Sequence, residues 1–218
     1  MIKQINFYLE KDYPQKKSFW LCLLLCGLFA FPILYADIYY IDDVSRSQKG
    51  LLGWSGLGRP LSDFALKIFN LNKGGLLDVS PLPLILSIFV IAACSMLIAE
   101  GIFKRYNVKT LLLSMVCIVC PVLLQNLAYR FDSLPMTLAL LFAILAWKIL
   151  DKSTVVHSTL AVILLFLSLS LYQPCAAVFP ILIVAKLMVS SYSKKIDSGY
   201  YIPRSLLVFI FSYFFIMY

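Results

Sequence analysis

Apolar residues in this chain of 218 come in long unbroken runs, not in the short alternations of a soluble domain. A run of about 17–25 apolar residues matches the hydrocarbon core of a bilayer. The pattern predicts such runs near 19–36, 83–100, 110–128, 134–150, 155–171 and 176–191, and a seventh from about 205 to 218. Each is expected to be a helix, because lipid offers no partner to an unpaired backbone amide. The predicted fold is therefore all-α: a polytopic membrane protein of about seven transmembrane helices. A polar segment, 1–18, precedes a single membrane domain, 19–218. Pro121 and Pro180 are expected to kink their spans.

Composition agrees with this reading. The chain is 61% hydrophobic and 14% charged, with mean hydropathy +0.89, against about 25% charged in an ordinary soluble domain. The formal net charge is +8, but the basic residues cluster at the ends of the runs, so the charge points to membrane topology and not to nucleic acid. One side collects Lys3, Lys11, Lys16, Lys17, Lys104, Arg105, Lys109, Lys148, Lys152, Lys186, Lys194, Lys195 and Arg204; the other has Arg46, Lys49, Arg59, Lys67, Lys73 and Arg130. Basic residues favour the cytoplasmic side, so the N-terminus is expected inside. Every Asp, Arg and Lys is expected at or beyond a span end. The first run is longer than the apolar part of a signal peptide, about 7–15 residues, and Leu34 stands where a cleavage site before Asp37 would need a small side chain. An uncleaved first span follows. The cysteines, including the Cys117–Cys120 pair, lie in or beside apolar runs with no histidine or charge nearby, and read as small buried hydrophobes. His157, flanking a span beside Lys152, reads as a surface residue.

The outer face then holds one long loop, 37–82, and two short ones, "YRFDS" (129–133) and "LYQPC" (171–175). Within the long loop, "GWSGLGRPLSDFALKIFNLNKGG" predicts a helix starting at Pro60 and ending before Gly74–Gly75. Leu61, Phe64, Ala65 and Ile68 recur at helical spacing, so this short amphipathic helix is expected in the membrane interface. Ahead of it, "YYIDDVSR" pairs Asp42 with Asp43. Adjacent side chains share no face in helix or strand, so a proton-sharing dyad is disfavoured; one carboxylate for chemistry and one for organising the loop is the expected division. Arg46, Arg59, Arg130 and Asp132 reach the same face.

These stretches resemble the GtrII-type glucosyltransferases of bacterial O-antigen modification. The resemblance rests on "YYIDDVSR", "GWSGLGRPLSDF", "NLAYRFDSLPMTLAL" and "LYQP", in that order from about Tyr39 to Pro174. It implies a GT-C-like membrane fold and an inverting transfer of glucose, or a related sugar, from undecaprenyl phosphate to O-antigen of lipopolysaccharide. The address would be the periplasmic face of the bacterial inner membrane. Asp42 or Asp43 would act as general base; Arg46, Arg59 and Arg130 would stabilise the leaving phosphate. Tyr39, Tyr40 and Trp54 would offer faces to sugar rings, Asp132 would hold Arg130 or the acceptor, and Gln173 would bond a sugar hydroxyl. The implied partners are the lipid-linked donor, the O-antigen acceptor, membrane lipid, a flippase and a polyprenyl-phosphate glucosyl synthase. The resemblance fixes no cofactor; Asp42 and Asp43 could bind a divalent metal, but the sequence places no histidine or third carboxylate to complete the site. The alternatives are an O-antigen polymerase, a flippase or transporter of the same pathway, and an inactive fragment. Family members are longer, and the last run is short for a span, so the chain is expected to be an N-terminal portion.

Overall fold

The computed structural model describes residues 9–71, 75–193 and 198–217. Lys3, Lys73, Gly74, Lys194, Lys195 and Tyr218, all used above, lie outside them. The described residues are helical, without a strand, as the apolar runs require. The helices are α1 (Gln15–Ala36), α2 (Asp43–Lys49), α3 (Pro60–Asn70), α4 (Leu82–Ile98), α5 (Val108–Val116), α6 (Pro121–Ala128), α7 (Ser133–Ile149), α8 (Val155–Tyr172), α9 (Val178–Ser193) and α10 (Ser198–Met217). Short 3-10 turns precede α3 at Ser55–Leu57 and separate α8 from α9 at Gln173–Ala177.

Three helical stretches are long and apolar enough to cross a bilayer: 15–36, 82–103 and 155–190. A fourth arises if α5 and α6, bent 71° at the break between them, count as one span. Helix α7 and the apolar stretch 200–215 of α10 are shorter than the 18 residues of a clear span. The expected run 110–128 is thus two helices. Cys120 is extended and Pro121 takes the first position of α6, where its missing N–H costs nothing. The break exposes Cys117 and Cys120, which corrects their expected burial; Cys22, Cys26 and Cys94 are buried. The long stretch 155–190 is interrupted at Tyr172, whose φ of −156° and ψ of 100° are extended.

The chain forms two compact units, 1–44 with 79–134 and 45–78 with 135–218. In the first, α1 packs on α4, α5 and α6. It buries Ser18, Cys22, Cys26 and Ala30, one small residue every four positions, and turns Trp20, Leu24, Leu28, Phe31 and Tyr35 outward. Small inward and large apolar outward is the pattern of a helix solvated by lipid. Buried hydroxyls in α4 and α5 bond their own backbone: Ser87 to Pro83 O at 2.8 Å, Ser95 to Ile91 O at 3.0 Å and Ser114 to Thr110 O at 2.7 Å. A polar end is assembled where Arg105 pairs with Asp12 at 3.1 Å and Tyr13 N–H donates to Tyr106 O at 2.8 Å. The N-terminal segment and the basic connector 104–109 therefore meet, as expected of two stretches on one face.

In the second unit, α8 packs against α3 and α10, and α9 against α10. Here one expectation fails. Lys186 lies within α9, not at its end; it is buried, pairs with Asp151, and sits 5.6 Å and 5.5 Å from the ring centroids of Trp147 and Tyr201. The apolar run hid a charge because the lysine stem is itself apolar and its head is neutralised by the connector after α7.

Candidate active site

Two clusters contain the residues picked out above, one in each unit. The first forms where α1 ends. Asp37 closes α1 in the left-handed region, φ 44°, and Ile41 repeats that conformation at φ 45°. The chain turns sharply between them and brings Asp43 back toward its own entry, with Asp43 N–H donating to Tyr40 O at 3.0 Å. The Asp43 carboxylate is fully buried. Its Oδ2 accepts Tyr40 N–H at 3.2 Å and Arg130 N–H at 2.8 Å, tying the loop after α1 to the connector after α6. The Arg130 guanidinium donates through Nη1 to Asp37 Oδ1 at 2.8 Å and lies 4.7 Å from the Tyr39 ring centroid. Tyr40 and Tyr129 meet edge-to-face at 5.1 Å. Asp132 is buried one residue before α7 begins, whereas Asp42 is exposed.

The two aspartates therefore differ in kind. A buried carboxylate accepting two amides organises a backbone. An exposed one keeps its lone pairs available. A water-sized cavity of about 30 Å³ beside Asp37 and Arg130 reaches Ser80 and Pro81.

The second cluster is built on α3. Asp63, in its first turn, gathers the preceding glycine-rich loop. Oδ1 accepts Gly53 N–H at 3.2 Å and Trp54 N–H at 3.0 Å; Oδ2 accepts Ser55 N–H at 2.8 Å and its hydroxyl at 2.6 Å. Burial pushes this carboxyl up, but the Ser55 hydroxyl and the three amides outweigh burial and hold it below its ordinary value. The loop so fixed presents Trp54, 9% exposed, to two arginines. Arg46 lies 3.9 Å and Arg59 5.3 Å from its ring centroid, and Arg59 is also 4.6 Å from that of Tyr172. The indole is buried, with the Arg46 guanidinium against its ring. Gln173 Nε2 donates to Gly58 O at 3.1 Å, and Ser62 Oγ to Leu171 O at 2.6 Å, docking the loop and α3 on the end of α8.

Helix α3 is amphipathic as predicted, with Ser62 and Asp63 of its polar positions turned inward and Lys67 outward. Ser62, Asp63 and Leu66 are buried while Phe64, Ile68 and Leu71 are exposed. It ends at Asn70 with Leu71 left-handed at φ 49°, short of the expected glycines. Among the described residues no three of His, Cys, Asp and Glu come together to hold a metal. Asp37, Asp63, Tyr129 and Tyr172 were not among the predicted site residues. Asp63 carried a legible signal, an acid in the first turn of a helix directly after a glycine-rich loop.

Residues 31–218 match the family described as glucosyl transferase GtrII. A relative in Salmonella phage P22, described as an uncharacterized 55.3 kDa protein in the gtrB 5′ region, is 34% identical over 171 residues, covering 78% of this chain and 35% of the phage protein. The chain thus spans about a third of the length of that curated relative. No solved structure matches. With the family pattern running from the end of α1 through both clusters, the chain belongs to the GtrII glucosyl transferase family.

Proposed function

We propose that the chain serves an inverting, multi-pass membrane glycosyltransferase of GT-C type. It would move a glucosyl or related residue from undecaprenyl phosphate to O-antigen at the periplasmic face of the inner membrane, with the N-terminus cytoplasmic. Family membership supports sugar transfer. The observation that carries the mechanism is the contrast between Asp42, exposed, and Asp43, buried on two amides.

Asp42 is the general base. Its carboxylate takes the proton from the acceptor hydroxyl as that oxygen attacks the anomeric carbon. The bond to the lipid phosphate breaks through an oxocarbenium-like state, and a single displacement inverts the configuration. Asp43 is the organiser that sets the loop on which Asp42 stands. Phosphate is already a good leaving group, so cations matter more than a general acid. The candidates are Arg130, aimed by Asp37, in the first unit, and Arg46 and Arg59 on Trp54 in the second. Tyr39, exposed beside Arg130, is the candidate sugar platform, and Gln173 the candidate hydroxyl partner.

The test is transfer of radiolabelled glucose from polyprenyl phosphate to lipopolysaccharide in membranes carrying the chain. Asp42→Asn abolishes transfer at an unchanged membrane level of protein. Wild-type transfer by that variant removes Asp42 from the chemistry.

A further inference from the structure

The first turns of α8 and the length of α10 enclose a groove of about 480 Å³. That lies within the ~300–1,000 Å³ typical of ligand sites. Its two ends differ. Ser153, Ser158, Thr159 and Arg204 line one part, and Val162, Leu207, Phe211 and Phe215 the other. We propose that this groove binds an anionic phospholipid, its phosphate on Arg204 and an acyl chain along Leu207, Phe211 and Phe215.

The argument begins with the charge on Arg204. The side chain is only 9% exposed, and among the described residues its hydrogen-bond acceptors are all neutral. Nε donates to Ser158 Oγ at 2.7 Å, Nη1 to Leu150 O at 3.3 Å and Nη2 to Lys152 O at 2.6 Å. The adjacent carboxylate, Asp151, pairs with Lys186. A guanidinium withdrawn from water without a counter-charge is costly. Its two terminal nitrogens each keep a second N–H, which is the fork that recognises phosphate. The Ser153 hydroxyl adds a donor at the same end, and Lys152 adds a second positive charge in the connector. Charge and shape thus specify one ligand, an anion carrying an apolar tail.

The groove is distinct from the cluster of Arg59, Trp54 and Tyr172. Both touch α8, the groove near its first residues and the cluster at Tyr172. The 18 residues of that helix put about 27 Å between them, close to the ~30 Å of a hydrocarbon core. The lipid held by Arg204 therefore belongs to the leaflet opposite the one served by the arginine–tryptophan cluster, and is not a sugar donor bound there.

The full chain, purified from membranes and exchanged into bilayer discs of equal phosphatidylglycerol and phosphatidylcholine, is released into native mass spectrometry and its retained lipids are counted. Wild type retains phosphatidylglycerol over phosphatidylcholine by about fivefold, the worth of one basic side chain at an anionic surface. Arg204→Gln loses the preference. Because Arg204 also ties the 150–152 connector to α10, Leu207→Trp provides a second arm that fills the groove and leaves those bonds intact. It retains wild-type helicity by circular dichroism and loses the bound lipid. Equal retention of the two lipids by wild type, or undiminished phosphatidylglycerol on folded Leu207→Trp, overturns the proposal.

Discussion

Asp63→Asn tests whether one carboxylate builds the arginine–tryptophan cluster. The native carboxylate accepts four hydrogen bonds, two on each oxygen. Asparagine keeps one acceptor oxygen, which serves Gly53 and Trp54, and turns an NH2 group toward the two donors of Ser55. Two charge-assisted bonds at ~1.5 kcal/mol each are lost, about 3 kcal/mol of local stability. That lowers hydrogen-exchange protection of the Gly53, Trp54 and Ser55 amides by about a hundredfold, since ~1.4 kcal/mol is tenfold. Exchange mass spectrometry on the peptide spanning 51–59 reads it directly. In a background where Trp20 and Trp147 are replaced by phenylalanine, Trp54 emission reports whether the ring has left its two arginines.

A pH series separates the charge from the shape. The folded carboxyl lies below its ordinary value, and the unfolded one near ~3.9. Between those two values the open loop binds more protons than the closed one, so stability rises with pH there and is complete above. Protection corrected for intrinsic exchange stays flat from neutral pH down to about pH 5 and falls only as pH drops through the folded value. Asp63→Asn shows no such fall. Unchanged protection of 53–55 in the variant, or the same acid-induced loss in both proteins, refutes the claim that Asp63 holds the loop.

Asp43→Asn, unlike Asp42→Asn, lowers the melting temperature in detergent, because its buried carboxylate loses charge on two amides, a cost of about 1–3 kcal/mol; equal melting temperatures for the two variants contradict the division between organiser and base. Lys186→Met removes the partner that Asp151 offers from an exposed connector and destabilises the second unit by about 1 kcal/mol, whereas Lys186→Met with Asp151→Leu recovers most of the loss. A thermal melt of the single and double variants decides this, and no recovery in the double means the pair is not what Lys186 contributes. Gly58→Ala forces a left-handed φ of +73° on a residue with a Cβ, which would come 3.1 Å from Gln173 Nε2. It costs about 1–2 kcal/mol, seen as faster exchange at Gly58 and Arg59, and unchanged exchange there would refute the strain.

Helix existence was legible almost everywhere, because lipid permits little else to an apolar run. What the run length could not show is where a helix breaks. Residues 110–128 carry no charge, yet the chain bends 71° before Pro121. A proline reads equally as a kink within a span or as the first residue of a new helix. Pairing was legible in part. The four sequence blocks pair off within the units: Asp43 joins "YYIDDVSR" to "NLAYRFDS", and Gln173 joins "LYQP" to "GWSGLGRP". The difference between Asp42 and Asp43 was not legible, because it arises from a partner 87 residues away. Lys186 was misread for a related reason: its counter-charge, Asp151, lies 35 residues earlier in a connector.

Helix α3 shows what decides which side of an amphipathic helix turns inward. The spacing of Phe64 and Ile68 finds a helix, and the habit of soluble proteins turns such a stripe inward. In this chain Ser62 and Asp63 turn inward instead, because each has acceptors or donors waiting: Leu171 O for Ser62, the Gly53–Ser55 amides for Asp63. With lipid outside, the exposed Phe64, Ile68 and Leu71 lose nothing, while an unsatisfied Asp63 in lipid would lose several kcal/mol. Solvent and hydrogen-bond demand together decide the face. The same argument orients α1, small side in and large side out. It also explains why polar residues that look like a solvated stripe in α3 are the ones that assemble the arginine–tryptophan cluster.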